Sequence, residues 1–275
     1  MGDGSFVIAS RHDLRLAARS AGEPERSTED LAEGSYGYVH SYEASSLFDG
    51  PGVRAVMFVT GCPLRCAYCH NPDTWHLKDG SRVPVEVVLD RLGGLAPALR
   101  AMDGGLTISG GEPLAQPAFT RCVLQGAKKL GLHTAIETSG FLGEHADQAY
   151  LDALDLVLLD IKSFDPDIYR HTTGREVAPT LRFAERLAEI GKPVWVRFTL
   201  VAGLTDDPAN VDALARFVAP LKNVQRVEIQ PFHQLGAFKW KSMGIDYSLV
   251  KTEPPTPELV QRVRDQFASA GCKVR

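Results

Sequence analysis

The chain has 275 residues, 44% of them hydrophobic and 23% charged, and its formal net charge is −4 at pH 7. These values predict one compact domain with a sizeable core, and the near-neutral charge without a long basic block argues against a nucleic-acid surface. The longest apolar stretch, residues 154–161, contains two aspartates and falls far short of the roughly 20 residues that cross a bilayer. We therefore expect neither nucleic acid nor a membrane as a partner.

Residues 1–35 differ from the rest of the chain, because Ser, Gly, Arg and acidic residues dominate them. This composition predicts a disordered N-terminal extension. The segment has neither the apolar run of a secretory signal nor the acid-poor composition of an organellar transit peptide. The odd number of cysteines, five, also indicates the reducing cytosol. We therefore expect a cytoplasmic protein.

From residue 36 to 275, short β-branched runs alternate with amphipathic segments, as in parallel strands joined by crossover helices. The predicted strands span residues 53–59, 105–109, 133–137, 156–160, 194–200 and 225–230. The predicted helices span residues 84–101, 117–130, 145–153, 179–190, 210–219 and 257–270. Six such units fit an α/β fold of one domain, a partial (β/α)6 TIM-like barrel.

The first predicted strand leads into the loop GCPLRCAYCH, which holds three of the five cysteines, Cys62, Cys66 and Cys69. Three thiolates this close predict one shared metal centre, and they leave a zinc ion or a four-iron cluster one ligand short. Three interpretations fit the loop: a c-type haem attachment motif ending at His70, a structural zinc completed by His70 or His76, and a [4Fe–4S] cluster with an open iron. The missing export signal argues against haem attachment.

Polar residues follow the carboxyl ends of the other predicted strands, where parallel β/α sheets bind ligands. They are Ser109 to Pro113, Glu137 to Gly140, Asp160 with Lys162, Arg197, and His233. Asp160 and Lys162 project to the same side of an extended chain. Arg197 is predicted to point inward, where it would need an anionic partner. Each feature alone has a simpler explanation, such as a tight turn, a surface ion pair or a structural histidine, but their coincidence favours a binding site.

The C-x3-C-x2-C spacing, with an aromatic residue before the last cysteine, resembles the signature of the radical S-adenosylmethionine (SAM) enzymes. Further stretches are similar to one branch, the pyruvate formate-lyase activating enzymes, between residues 38 and 273. They are YEASSLFDGPGVRAVMFVTGCPLRCAYCHNPDTW, TISGGEPL, ETSGF, LLDIK, VWVRF, GLTDD and PFHQLG.

This resemblance implies a [4Fe–4S] cluster on Cys62, Cys66 and Cys69, with SAM bound to the open iron. It implies SAM contacts at Tyr68, Cys69, His70, Gly111, Asp160, Ile161, Lys162, Arg197 and His233. It also implies reductive cleavage of SAM to a 5′-deoxyadenosyl radical, which abstracts hydrogen from a backbone glycine of pyruvate formate-lyase. No catalytic residue is implied beyond the cluster and SAM site, and a flavodoxin or ferredoxin-type protein would supply the electron.

Glu137 and Thr138 stand where relatives with a monovalent-cation site carry Asp-Thr, and glutamate keeps the carboxylate on a longer arm. The pair is therefore a candidate cation site. Two alternatives stay open: an activase of another glycyl-radical enzyme, and a non-enzymatic zinc or iron–sulfur adaptor. Many of those other activases insert further cysteine clusters, and this chain has no cysteine between Cys69 and Cys122. The sequence therefore favours pyruvate formate-lyase as the partner.

Overall fold

A computed structural model of the chain describes residues 33–275. The predicted extension, residues 1–35, lies outside the described residues except for its last three. The described chain divides into two compact units. The first unit comprises residues up to 62, then 76–137 and 145–155, and the second comprises residues 63–75, 138–144 and 156–275.

The strands of the first unit follow the order β3-β1-β2-β4-β5. They are β1 (Tyr36–Ser46), β2 (Arg54–Val59), β3 (Ser81–Pro84), β4 (Gly105–Gly110) and β5 (His133–Thr138). Strands β2, β4 and β5 are parallel, whereas β1 is antiparallel to both β2 and β3. Because Val59 pairs with Gly110, β2 and β4 end at the same level. The segments that follow these two strands therefore start side by side.

The helices of the first unit are α1 (Val85–Ala101), α2 (Pro117–Lys129) and α3 (Gln148–Asp152). Helix α2 begins with Pro117, whose fixed φ and missing N–H suit the first turn of a helix. Its buried residues include Phe119, Val123 and Ala127, the spacing of an amphipathic helix that packs one face on a sheet. Helix α3 is shorter than predicted, because residues 143–145 form a separate 3-10 turn.

The second unit has three parallel strands in the order β6-β7-β8. They are β6 (Leu156–Asp160), β7 (Val194–Leu200) and β8 (Val224–Pro231). Every residue of β6 is buried, as expected for a parallel strand covered on both faces. The register places Asp160 beside Arg197, and Arg197 beside Glu228. Three charged side chains thus come from adjacent positions on neighbouring strands.

The helices of the second unit are α4 (Pro166–Thr173), α5 (Ala178–Glu189), α6 (Pro208–Val218), α7 (Ala237–Ser242) and α8 (Pro257–Ser269). The side chains of Asp165, Asp207 and Thr256 cap the N-termini of α4, α6 and α8 by accepting backbone N–H hydrogen bonds. None of the helices within residues 33–275 has the length and apolarity needed to span a membrane.

Candidate active site

The cysteine loop starts two residues after β2, at Gly61, whose φ of 89° lies in the region that favours glycine. Cys66 is buried, whereas Cys62 and Cys69 are partly exposed. Burial raises the pKa of the Cys66 thiol to about 12, and the nearby Lys162 opposes this shift. The isolated thiol is therefore protonated at neutral pH, and a bound metal would have to displace its proton.

The end of helix α4 holds the backbone around Cys66. The N–H groups of Arg65 and Ala67 donate to the carbonyl oxygens of Thr173 and Thr172, each at 2.8 Å. Both neighbours of Cys66 are thus fixed by backbone hydrogen bonds. No sequence pattern predicts this contact, because the carbonyl acceptors depend on where the helix ends and not on side-chain type.

Asp160 and Lys162 form a buried ion pair at the end of β6, with 12% and 14% of their side chains exposed. The prediction that they project to the same side is confirmed, and a surface ion pair is excluded. Lys162 Nζ also lies 5.3 Å from the centroid of the buried Tyr68 ring. Desolvation alone would lower the pKa of Lys162, but the Asp160 carboxylate raises it well above its usual value. Lys162 is therefore a fixed positive charge beside the cysteine loop.

Arg197 is 2% exposed, as predicted for an inward-pointing residue. Its Nε donates to Glu228 Oε2 at 3.0 Å, and Arg226 Nη2 donates to Glu228 Oε1 at 2.5 Å. The Arg226 guanidinium in turn lies 3.3 Å from the centroid of the Trp195 ring. The anionic partner that Arg197 needs is thus Glu228 on the neighbouring strand. Sequence reasoning missed Glu228, because the register of β7 and β8 had to be known first.

His70 and His233 lie together, with ring centroids 4.3 Å apart and an interplanar angle of 31°. His70 Nε2 is also 3.3 Å from the carbonyl oxygen of His233, to which it donates. Burial lowers the pKa of His70, and His233 lowers it further. The neutral form of His70 is therefore favoured. The structure thus joins the last residue of the cysteine loop to the histidine that follows β8.

The glycine-rich turn after β4 is hydrogen-bonded to the segment that leads to Cys62. The N–H groups of Gly111 and Glu112 donate to the carbonyl oxygens of Val59 and Gly61, each at 2.8 Å. Gly110 has a φ of 109°, and a Cβ there would come within 2.4 Å of the Val59 oxygen. The N–H of Gly111 is therefore engaged within the protein.

The predicted cation site begins at Glu137, whose Oε2 accepts a hydrogen bond from Ser109 Oγ at 2.6 Å. The side chain of Thr138 is buried, and its Oγ1 accepts the N–H of Gly140 at 3.0 Å. Within residues 33–275, no three His, Cys, Asp or Glu side chains are grouped so that they could hold a single metal ion.

Comparisons with known proteins identify a superfamily and, within it, a family. Residues 56–217, more than half of the chain, match the Radical SAM superfamily. A crystal structure of Streptococcus suis SuiB bound to the precursor peptide SuiA shares the fold, with a TM-score of 0.59 over 80% of this chain and 46% of that chain at 15% identity.

Two further relatives identify the family within this superfamily. The pyruvate formate-lyase-activating enzyme of Staphylococcus epidermidis is 42% identical over 233 residues, which cover 82% of this chain and 92% of that protein. A domain of the pyruvate-formate lyase-activating enzyme from Bacteroides vulgatus has a TM-score of 0.53 at 25% identity, over 62% of this chain and 98% of that domain. The chain belongs to the Radical SAM superfamily and, within it, to the family of pyruvate formate-lyase-activating enzymes.

Membership confirms the predicted fold class, an α/β partial TIM-like barrel, and the assignment as a radical SAM enzyme. The haem, structural-zinc and adaptor interpretations are therefore wrong. The family uses a [4Fe–4S] cluster and SAM. The cysteine loop could hold such a cluster, because it offers three thiols within eight residues, and cysteine thiolates are the usual ligands of iron–sulfur clusters.

Proposed function

We propose that this protein activates pyruvate formate-lyase by generating a glycyl radical on that enzyme. The observation that carries this proposal is the packing of Tyr68, from the cysteine loop, against Lys162 of the buried Asp160–Lys162 pair. This contact joins a metal-binding loop and a charged strand end, as a site for a metal-bound, charged ligand requires. The 42% identity to a pyruvate formate-lyase-activating enzyme supports the choice of partner.

In this proposal Cys62, Cys66 and Cys69 hold a [4Fe–4S] cluster and leave one iron open for SAM. The residues that contact SAM are Tyr68, Cys69, His70, Gly111, Asp160, Ile161, Lys162, Arg197 and His233. The bound cluster supplies the electron that cleaves SAM to methionine and a 5′-deoxyadenosyl radical, which abstracts hydrogen from a backbone glycine of the partner.

The protein's own residues bind and orient SAM by complementary charge. SAM carries a carboxylate, an ammonium group, a sulfonium and an adenosine. The fixed positive charge of Lys162 suits the carboxylate, and the carbonyl of Gly111 suits the ammonium group. The paired rings of His70 and His233 offer an aromatic surface for the adenine. No side chain has to act as an acid, a base or a nucleophile.

Three further assignments belong to the same proposal. Glu137 and Thr138 form a monovalent-cation site, in which Ser109 holds the carboxylate. A flavodoxin or ferredoxin-type protein donates the electron. The protein works in the cytoplasm, where the five free thiols of the structure stay reduced.

The test is anaerobic reconstitution of the protein with iron and sulfide, followed by incubation with SAM, a reductant and candidate glycyl-radical enzymes. Electron paramagnetic resonance (EPR) counts the glycyl radical. We expect a radical with pyruvate formate-lyase and none when Cys66→Ala replaces the wild-type protein. A radical on a different glycyl-radical enzyme, with none on pyruvate formate-lyase, would overturn the choice of partner.

A further inference from the structure

Helix α7 packs against the end of the cysteine loop within the second unit. The indole N–H of Trp240 donates to the carbonyl oxygen of Cys69 at 2.8 Å, and Trp240 is 6% exposed. We propose that Trp240 is a positioning residue, which fixes the backbone of Cys69 and thereby the third thiol and His70. This inference rests on the proposed role of Cys69 as a cluster ligand.

Both backbone groups of Cys69 are engaged. Its N–H donates to the carbonyl oxygen of Cys66 at 3.0 Å, and its C=O accepts from Trp240. The first bond closes the turn between two of the proposed ligands, and the second fixes that turn to helix α7. These two bonds fix the backbone of Cys69 and with it the direction of its Cα–Cβ bond, which is preorganisation of a binding site.

The indole itself is held on two sides. The Trp75 ring packs edge-on at a centroid distance of 5.1 Å, and the Tyr247 ring lies at 5.0 Å with an interplanar angle of 34°. These contacts leave the ring little freedom to turn away from Cys69. The packing of the ring thus keeps the indole N–H directed at the Cys69 carbonyl oxygen.

Two neighbours of Trp240 tie the same helix to the residues around Cys69. Lys239 Nζ donates to Asn71 Oδ1 at 2.7 Å and lies 3.2 Å from Asp73 Oδ1. Gly236 lies just before α7 and close to His70. A Cβ added to Gly236 would be 2.7 Å from the Cα of His70. Glycine is needed there for space, because the φ of Gly236 is −86°. Three independent contacts thus hold one face of α7 against residues 69–73.

The test uses Trp240→Phe, which keeps an aromatic ring in the buried position and removes the N–H. Tyr150→Phe is the matched control, because Tyr150 is 1% exposed and loses only the hydroxyl that lies 3.1 Å from Thr120 Oγ1 in the first unit. Each protein is reconstituted anaerobically. The rate of iron loss to a chelator and the concentration of SAM that half-saturates the change in the EPR signal of the reduced cluster are measured.

We expect Trp240→Phe to lose iron about 2- to 10-fold faster and to need about 2- to 10-fold more SAM, the effect of one lost hydrogen bond. Tyr150→Phe should match the wild type in both measurements. A folded Trp240→Phe protein with wild-type rates and affinity would overturn the inference, and so would an equal effect in Tyr150→Phe.

If Trp240→Phe does not fold, β-(3-benzothienyl)alanine incorporated at position 240 tests the same hydrogen bond, because it keeps the bicyclic ring and lacks the N–H. Wild-type iron retention and SAM affinity in that protein would overturn the inference. The outcome for the proposed function is separate. A wild-type protein that binds no cluster would refute the proposed function, whereas a loaded wild type with unaffected variants would refute only the role of Trp240.

Discussion

At the scale of single residues, the candidate site combines a buried thiol with a buried, compensated charge. Cys66 carries a thiol whose pKa is raised to about 12 by burial, and Lys162 is the cation that opposes this shift. The Asp160 carboxylate keeps Lys162 charged, because its attraction offsets part of the free energy lost when the ammonium group is buried. Lys162 therefore contributes to the stability of the fold and, in the proposed function, binds the carboxylate of SAM.

The first prediction concerns this charge. Lys162→Met should weaken SAM binding by about 10- to 150-fold, since a charge-assisted hydrogen bond contributes about 1.5–3 kcal/mol. It should also destabilise the fold by about 3–5 kcal/mol, because Asp160 stays buried without its cation. SAM titration of the reconstituted cluster and urea unfolding measure the two effects.

Lys128→Met is the matched control for that prediction. Lys128 pairs with Asp155 at 2.5 Å, but the two side chains are 38% and 34% exposed. A surface pair of this kind contributes about 0–1 kcal/mol. Equal losses of stability in the two variants, or unchanged SAM affinity in Lys162→Met, would contradict the role assigned to Lys162.

At the scale of elements, the sequence located the six parallel strands to within one or two residues, because five of them are mostly buried and the sixth, β8, has Val227 and Ile229 as its buried residues. It missed β1, whose second half is mostly half-buried and rich in polar residues. It also missed α4, whose buried face includes two threonines, and α7, in which only Trp240 is buried. Neither short helix shows the apolar periodicity that predicts a helix.

The sequence likewise predicted which polar residues follow the strands, but not what holds them. Glu228 beside Arg197 depends on the register of two strands 31 residues apart. The hydrogen bonds of Thr172, Thr173 and Trp240 to the cysteine loop depend on tertiary packing. The residue types at strand ends are visible in the local sequence, whereas the residues that contact them lie in distant segments of the chain.

The second prediction tests the pairing of β7 and β8. Glu228→Gln keeps the shape of the side chain but removes its charge, so Arg197, with 3% of its side chain exposed, loses the carboxylate of Glu228. We expect a loss of about 1–3 kcal/mol in the free energy of unfolding, measured with urea. Glu176→Gln is the control, because Glu176 pairs with Arg170 in solvent, at 58% and 53% exposure, and should change the free energy by less than about 1 kcal/mol. Similar losses in both variants would contradict a buried, charge-dependent pairing of the strands.

At the scale of the whole molecule, the match to the Radical SAM superfamily ends at residue 217. Strand β8, His233 and helix α7 lie beyond it, yet they supply Glu228, the ring that packs on His70, and the indole that holds Cys69. The last quarter of the chain therefore completes the site that the shared part begins. In the proposed function these residues hold the cysteine loop in position and balance the charge of Arg197.

The last prediction follows from that division of roles. If no residue of this chain relays hydrogen, then α-deuterated glycine in pyruvate formate-lyase should transfer its deuterium directly into 5′-deoxyadenosine. Mass spectrometry of the 5′-deoxyadenosine, beside an EPR count of the glycyl radical, measures this transfer. Unlabelled 5′-deoxyadenosine with a full yield of radical would instead indicate a relay, for which Tyr68, a buried residue of the cysteine loop, is one candidate. Tyr68→Phe distinguishes the two routes, because direct transfer leaves the label in place when the hydroxyl is removed, and a relay through that hydroxyl cannot form the radical without it.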